Sequence, residues 1–253
     1  MRMTTKRITT SVFALPLILA SSVCAQTEQA PSSLLPATPA SVRFEETISV
    51  RDLRIPPKAV KELLRSQNAL KSGDARSSAR HLEKALQIYP DCLEAHNDLG
   101  DRYIELQEYE KAAAEFQKAI AIDPRVAQLW NNLSVAFFLQ QRYGDAESAA
   151  RRALNLAPQH ATSRYMLGAT LATERRDPEE AMELLRQTKL EFPDARLLLA
   201  QILLRHGAVA EAEEELRGYL ALPDAPKRQN VERWLARLTG TSAAIAPAHP
   251  NTP

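Results

Sequence analysis

The chain has 253 residues, a formal net charge of +1 and 45% hydrophobic residues, but only 6% aromatic residues and 7 glycines. So few glycines exclude Gly-rich phosphate loops and turn-dense architectures, and the low aromatic content argues against long strands. The lack of a basic excess argues against a dedicated nucleic-acid binder. The 16 prolines fit a helix-forming composition only where they fall between helices.

The first predicted element is an export signal at residues 1–25. Basic residues precede an apolar run at residues 12–20, and the segment ending at Ala25 follows the small-residue rule for cleavage. Cleavage would give a periplasmic or secreted chain that begins at Gln26 and has no stable membrane span. The alternative is an uncleaved N-terminal membrane anchor, although the apolar run is shorter than the roughly 20 residues that a spanning helix needs.

Two further segments are predicted to form no packed structure. Residues 26–57 contain five prolines among Ser, Thr, Ala and Gln without a helical period, which is typical of a disordered linker. Residues 239–253 are rich in Ala, Pro and Thr, which predicts a disordered tail.

The middle of the chain repeats itself. Pro90, Pro124 and Pro158 are spaced by 34 residues, and columns of small and large apolar residues keep the same period. A fixed period of this size is typical of a solenoid of helix pairs, in which a proline prevents the second helix from continuing. The small residues mark the point where the two helices of a pair cross most closely, so we expect Gly100 to face Ala112.

These columns resemble the tetratricopeptide repeat family. The likeness rests on two successive sets of residues: Leu99, Gly100, Tyr103, Ala112, Phe116, Ala119 and Pro124, then Trp130, Leu133, Ser134, Phe137, Ala146, Ala153 and Pro158. The resemblance implies an all-α, right-handed α-solenoid of about five helix-turn-helix units at residues 58–238, in an exported protein of bacterial type. The units are expected at 59–92, 93–126, 127–160, 161–195 and 196–223, with a capping helix at 226–238.

No pattern of catalysis or metal binding accompanies the repeats. The five histidines lack metal-ligand spacing, and no nucleophile elbow, Walker or dinucleotide-binding pattern occurs. We therefore predict a protein that is not an enzyme and needs no metal or cofactor. The histidines are interpreted as satisfied or solvated side chains. Cys92, unpaired once Cys24 is lost with the signal, is interpreted as a buried apolar residue rather than a reactive thiol.

The predicted site is a concave groove lined by the first helix of each unit. Helical phase assigns to it Asn97, Asp98, Asp101, Gln128, Asn131, Asn132, Val135, Phe138, Tyr165 and Met166. The resemblance implies that asparagines in such columns hold an extended peptide through their carboxamides. Two alternatives stay open. In the first, the polar residues have no binding role and simply lie on a solvated concave face. In the second, the helical phase differs by one residue and the large apolar side chains belong to the core.

These patterns favour a non-catalytic scaffold or adaptor that binds a peptide or protein segment in the groove, with no nucleic-acid partner. Glu94, Asp98, Asp101 and Glu105 make one end of the groove acidic, which favours a neutral or basic ligand. The alternative function is that of a structural subunit of a cell-envelope assembly, which self-associates or docks through its convex or terminal face.

Overall fold

A computed structural model describes residues 55–245 of the chain, with side chains as far as residue 240. Within this range eleven α-helices follow one another without a strand, which confirms the predicted all-α helical repeat fold. In chain order they are α1 (Pro57–Lys71), α2 (Ala75–Ile88), α3 (Leu93–Glu105), α4 (Tyr109–Ile122), α5 (Ala127–Leu139), α6 (Tyr143–Leu156), α7 (Ala161–Glu174), α8 (Pro178–Thr188), α9 (Asp194–Arg205), α10 (Val209–Leu220) and α11 (Arg228–Ile245). None of these helices is long and apolar enough to cross a membrane. The predicted export signal lies outside the described residues, as do the linker up to residue 54 and the tail after residue 245.

The described residues form two compact bodies. One covers residues 55–188 with helices α1 to α8, and the other covers residues 189–245 with helices α9 to α11. In the first body α1 packs on α2, α3 on α4, α5 on α6 and α7 on α8, and each pair packs on the next. Helix α5 also contacts both α3 and α7, so the first helices of these three pairs are neighbours. In the second body α10 contacts both α9 and α11.

Close crossing within a helix pair depends on a missing side chain. A Cβ atom added at Gly100 would lie 2.4 Å from a ring carbon of Phe116, a distance that real Cβ contacts do not reach. The nearest atoms therefore belong to Phe116 rather than to the expected Ala112, although Ala112 is itself fully buried. At Gly168 the added carbon would lie 3.0 Å from Leu185, so that crossing is less tight.

A recurring hydrogen bond fixes the turn between one helix pair and the next. His96 Nε2, Trp130 Nε1 and Arg164 Nη2 each donate to the carbonyl of the proline six residues earlier, at 2.8, 2.8 and 2.6 Å. Pro90, Pro124 and Pro158 are the acceptors. The turn proline thus ends the second helix, and its carbonyl accepts a hydrogen bond that orients the first turn of the following helix. Three chemically different side chains supply the N–H donor for this bond.

Each turn inside a helix pair of the first body contains a left-handed residue. These residues are Gly73, Gln107, Gln141 and Arg175, with φ of 78°, 61°, 60° and 59°, and they are spaced by 34 residues. A left-handed backbone costs an L-residue roughly 1 kcal/mol, so only Gly73 adopts it without strain. Asp177, with φ of 42°, is a second left-handed residue in the α7–α8 turn.

The capping helix is longer than predicted. Helix α11 reaches Ile245, whereas the sequence predicts that it ends at Leu238 and that a disordered tail begins at residue 239. The hydroxyl of Thr239 bonds to the carbonyl of Leu235, and the following sequence contains two alanines that favour helix. Val231 and Trp234 are buried, as expected for the apolar face of this helix.

Candidate functional site

The residues predicted for the groove lie on α3, α5 and α7, the neighbouring first helices of the first body. We call the side of these helices that carries the predicted residues the first-helix face. Asp98 is exposed, and Asn97, Asp101 and Gln128 are partly exposed. The polar residues at the α3 end are therefore the ones that a ligand can reach.

The other predicted residues are buried. Asn131, Asn132, Val135, Phe138, Tyr165 and Met166 are at most 9% exposed. The ring of Phe138 packs edge-on against Tyr143, with the centroids 5.4 Å apart. The prediction that Val135, Phe138, Tyr165 and Met166 line the groove is therefore corrected: these side chains belong to the core, which is the alternative that the sequence left open. The physical reason is that one residue turns a helix by about 100°, and α5 packs on α7.

The amides of the first-helix face bond to one another in a single direction. His160 Nε2 donates to Gln128 Oε1 at 3.0 Å, and Gln128 Nε2 donates to Asn132 Oδ1 at 2.7 Å. Asn132 Nδ2 then donates to Asn97 Oδ1 at 2.9 Å. We call these four residues the amide chain. It joins the start of α7 to α3 through α5.

The amide chain begins at a histidine that caps a helix. His160 Nδ1 accepts the backbone N–H of Ser163 at 3.3 Å and lies 2.7 Å from the hydroxyl oxygen of that residue. The same hydroxyl donates to Asn131 Oδ1 at 3.1 Å, which ties α5 to α7 a second time. Burial lowers the pKa of His160. Both ring nitrogens of His160 therefore have partners, Nδ1 at Ser163 and Nε2 at Gln128.

The amide chain ends at Asn97 of α3, a helix that also carries an acidic cluster, which we define as Glu94, Asp98, Asp101 and Glu105. Burial raises the pKa of Asp101 to about 7; the positive charge of Arg102 opposes the rise, and the carboxylates of Asp98 and Glu105 add to it. Asp98 has exposed surface, yet enough protein surrounds its carboxylate for desolvation to raise its pKa as well. The guanidinium of Arg102 lies 3.2 Å from Glu105 and is the cation on α3 that opposes this cluster. The cluster is therefore short of compensating positive charge.

We expect Asp101→Asn to raise the free energy of unfolding at pH 8 by roughly 1–2 kcal/mol, after allowance for solvent screening. A carboxyl whose pKa is higher in the folded chain binds more protons there, so its contribution to stability falls as the pH rises from about 4 to about 7. The gain from the substitution should therefore largely disappear near pH 4. Urea unfolding at the two pH values measures it.

The matched control for this substitution is Asp145→Asn on α6. Asp145 is exposed and pairs with Arg142 at 2.6 Å, so its removal relieves no desolvated charge. An equal gain in the control at pH 8, or a gain from Asp101→Asn that persists at pH 4, would contradict the proposed cause.

Comparison with known families supports the repeat architecture. The family model described as TPR repeat matches residues 100–141, and the model of anaphase-promoting complex, cyclosome, subunit 3 matches residues 139–219. These matches support the tetratricopeptide repeat (TPR) family for this chain. No curated protein matches the sequence.

Solved structures match over a larger part of the chain. A TPR protein from Parabacteroides merdae is 15% identical, covers 75% of this chain and 76% of its own, and gives a TM-score of 0.62. TTC0263, a thermophilic TPR protein of Thermus thermophilus, is 21% identical, with 72% and 98% covered and a TM-score of 0.55. PilF of Pseudomonas aeruginosa is 21% identical, with 76% and 93% covered and a TM-score of 0.55. The chain has the TPR fold.

The TPR helix pairs contain a charged contact that sequence analysis missed. A residue of the first helix pairs with one 19 positions later in the second: Glu62 with His81 at 2.7 Å, His96 with Glu115 at 2.6 Å and Arg196 with Glu215 at 2.7 Å. An acidic and a basic residue at a repeated spacing of 19 are the sequence signal that would have revealed them. We call them the cross-helix pairs. They show that His81 and His96 are satisfied, as interpreted from the sequence.

The TPR helices described here bring no metal-binding group together. Among the described residues no three or more His, Cys, Asp or Glu side chains could hold a metal ion. Cys92 precedes α3 and is 4% exposed, which confirms that it is buried. Burial raises the pKa of its thiol, and nearby Glu94 and Asp98 add to the rise. The thiol is thereby kept in its unreactive, protonated form.

Proposed function

We propose that this TPR protein is a non-catalytic scaffold, which holds a basic segment of a partner protein against the α3 end of the first-helix face. One observation carries the proposal. Asp98 and Asp101 are accessible at the surface, yet both carboxylates are desolvated enough to have raised pKa values. The TPR fold is commonly that of protein-interaction scaffolds, which is the wider support.

A Lys or Arg side chain would relieve the electrostatic strain of this cluster. Burial is the main reason why the pKa values of Asp98 and Asp101 are raised, and a neighbouring carboxylate adds to each rise: Glu94 for Asp98 and Glu105 for Asp101. A cation placed between Asp98 and Asp101 would make charge-assisted hydrogen bonds to both. The Asn132 amide is buried and already bonded within the amide chain, so we assign the main ligand contacts to the carboxylates.

The proposed site of action is beyond a membrane, in the periplasm or outside the cell. Residues 1–25 carry the basic, apolar and small-residue pattern of a cleaved export signal. The mass of the native protein tests this proposal, because cleavage after Ala25 would make Gln26 the first residue. A mass that includes residues 1–25 would favour the uncleaved anchor.

A second candidate function is docking through the first helix of the array. Val60, Leu64 and Leu70 of α1 are 39, 55 and 44% exposed, and Val60 and Leu64 lie one helical turn apart on the same face. This observation favours the structural-subunit alternative, in which a terminal face contacts another protein or a second copy. Binding through α1 would not respond to substitutions in α3, and this difference separates the two candidates.

The test of the proposed function is selection of binders from a displayed library of random peptides. We expect the wild-type chain to enrich Lys and Arg, and the best selected peptide to lose about tenfold or more in affinity for Asp98→Asn/Asp101→Asn, measured by fluorescence anisotropy. Binding should also weaken with added salt.

The matched control is Glu110→Gln, which removes an exposed carboxylate from the second helix α4. This variant should bind the selected peptide as the wild type does. Enrichment of acidic peptides, or an affinity unchanged in the double variant, would overturn the proposed function.

A further inference from the structure

We propose that the basic partner segment is amphipathic: it packs a large apolar side chain against Val60 and Leu64 of α1, while its cation contacts Asp98 and Asp101 of α3. This inference rests on the proposed function and adds the apolar half of the ligand. The starting point is that α1 carries exposed apolar side chains at the positions where α3 carries carboxylates.

The cross-helix pairs fix the register between α1 and α3. The pair that joins α1 to α2 and the pair that joins α3 to α4 involve equivalent residues, 34 positions apart. With this offset Val60 occupies the position of Glu94, and Leu64 occupies that of Asp98. Helices α1 and α3 both pack on α2. Val60 and Leu64 therefore continue the first-helix face onto α1.

The hydrogen bond that joins α3 to α5 cannot form at the equivalent positions of α1 and α3. Asn132 Nδ2 of α5 donates to Asn97 Oδ1 of α3 at 2.9 Å. One unit earlier these two positions are held by Asp98 and Leu63. A leucine side chain has no donor for a carboxylate. A cation of the partner segment would supply that donor, and an apolar side chain beside it would match α1.

Exposure along one column of the repeat shows where a ligand can reach. Leu64 of α1 is 55% exposed, and Asp98 of α3 is also exposed. The equivalent residues of α5 and α7 are Asn132 and Met166, which are 5 and 1% exposed. A segment that lies along this column therefore contacts apolar side chains of α1 at one end and carboxylates of α3 at the other.

The charges of α1 determine which part of the segment lies on which helix. Lys61 and Arg65 are exposed on α1, so this helix repels a cation that the acidic cluster of α3 attracts. Glu62, the acidic residue of α1, is buried and already paired with Arg65 and His81. The apolar side chain of the ligand therefore belongs on α1, where its burial against Leu64 stabilises the complex.

The distance between the two helices predicts the spacing in the ligand. Packed helices lie about 8–10 Å apart, and an extended chain advances about 3.3 Å per residue. The apolar residue and the cation of the ligand should therefore be about two to four positions apart, with the flexible Lys or Arg side chain covering the remaining distance.

The peptide selection that tests the proposed function also tests this inference. We expect the enriched peptides to carry, besides Lys or Arg, a large aliphatic or aromatic residue at this spacing. Leu64→Ser should lower the affinity of the full-length chain for the best peptide about fivefold, and replacing the apolar residue of the peptide by Ser should have a similar effect. Both changes together should cost no more than either alone, because they remove the same contact.

The matched control is Leu190→Ser, which removes an 85% exposed leucine from the second body and should leave the affinity unchanged. Salt distinguishes the two halves of the site. Asp98→Asn should weaken the dependence of the affinity on salt concentration, whereas Leu64→Ser should lower the affinity equally at all salt concentrations.

Three results would overturn the inference. A basic peptide that Leu64→Ser binds as tightly as the wild type would exclude the apolar half of the ligand and leave the proposed function intact. Binding that is lost in Leu64→Ser but not in Asp98→Asn/Asp101→Asn would overturn the proposed function as well and favour docking through α1. A stable dimer in light scattering that Leu64→Ser dissociates would show that a second copy of the chain covers Val60 and Leu64.

Discussion

Gly100→Ala is expected to lower the free energy of unfolding by about 2 kcal/mol, even though alanine favours a helix over glycine by up to about 1 kcal/mol. The added carbon would lie 2.4 Å from the ring of Phe116. This ring is 1% exposed, so it cannot move away without disturbing the side chains packed around it. The backbone of Gly100 is helical, so the loss is steric rather than conformational. Urea denaturation of the two proteins measures it.

Gly144→Ala is the matched control for this result. Gly144 also lies in a helix, α6, but nothing lies within 4 Å of a Cβ atom added there. The same substitution should therefore be neutral or slightly stabilising. Phe116→Leu should partly rescue Gly100→Ala, because the two changes then compensate at one contact. A Gly100→Ala variant as stable as the wild type would show that the helices of this pair separate without cost.

His96→Ala is expected to lower the free energy of unfolding by roughly 2–4 kcal/mol. Nδ1 of His96 lies 2.6 Å from a carboxylate oxygen of Glu115 and Nε2 lies 2.8 Å from the carbonyl oxygen of Pro90, so removal of the side chain breaks a cross-helix pair and a turn contact together. Burial alone would raise the pKa of Glu115, but the bonds from His96 and Lys118 hold it below its ordinary value. Without His96 the carboxylate stays buried with Lys118 as a weaker partner.

The third helix pair suggests how to restore what His96→Ala removes. Trp130 and Ala149 occupy the places of His96 and Glu115 there, and Trp130 keeps the bond to the turn proline. The double variant His96→Trp/Glu115→Ala should therefore recover most of the stability, because no buried carboxylate is left unpaired. Urea denaturation of both variants decides the matter. If the double variant is less stable than His96→Ala, then the cost of His96→Ala does not come from the unpaired carboxylate of Glu115, and the proposed cause is wrong.

The repeat itself could be predicted from the sequence because helix packing imposes it directly. Proline at a helix end and glycine at a crossing are steric requirements, so Pro124 and Gly100 recur at the same period as the helices. The left-handed turns are different. Gln107 and Gln141 adopt a conformation usually marked by glycine, and their side chains give no local signal of it.

The candidate site could be predicted only in part. The polar residues of α3 are accessible as expected, because acidic side chains are rarely buried without a partner of opposite charge. The burial of Tyr165 and Phe138 could not be predicted from the sequence, because burial on the first helix of a pair depends on how closely the first helix of the next pair approaches it. The amide chain was beyond prediction for the same reason. Its bonds join residues as far as 35 positions apart on separate helices, and the identities of Asn97 and Asn132 do not specify their mutual orientation.

The cross-helix pairs affect which helices of a repetitive chain pack together during folding. In the first two helix pairs the order of charges is reversed: Glu62 precedes His81, but His96 precedes Glu115. If α1 were exchanged for α3 during assembly, two carboxylates would meet at one contact and two imidazoles at the other. Helices with similar apolar faces are thereby made electrostatically distinguishable. A newly synthesised array carries, in four side chains, a means of rejecting the swapped arrangements to which repeated sequences are prone.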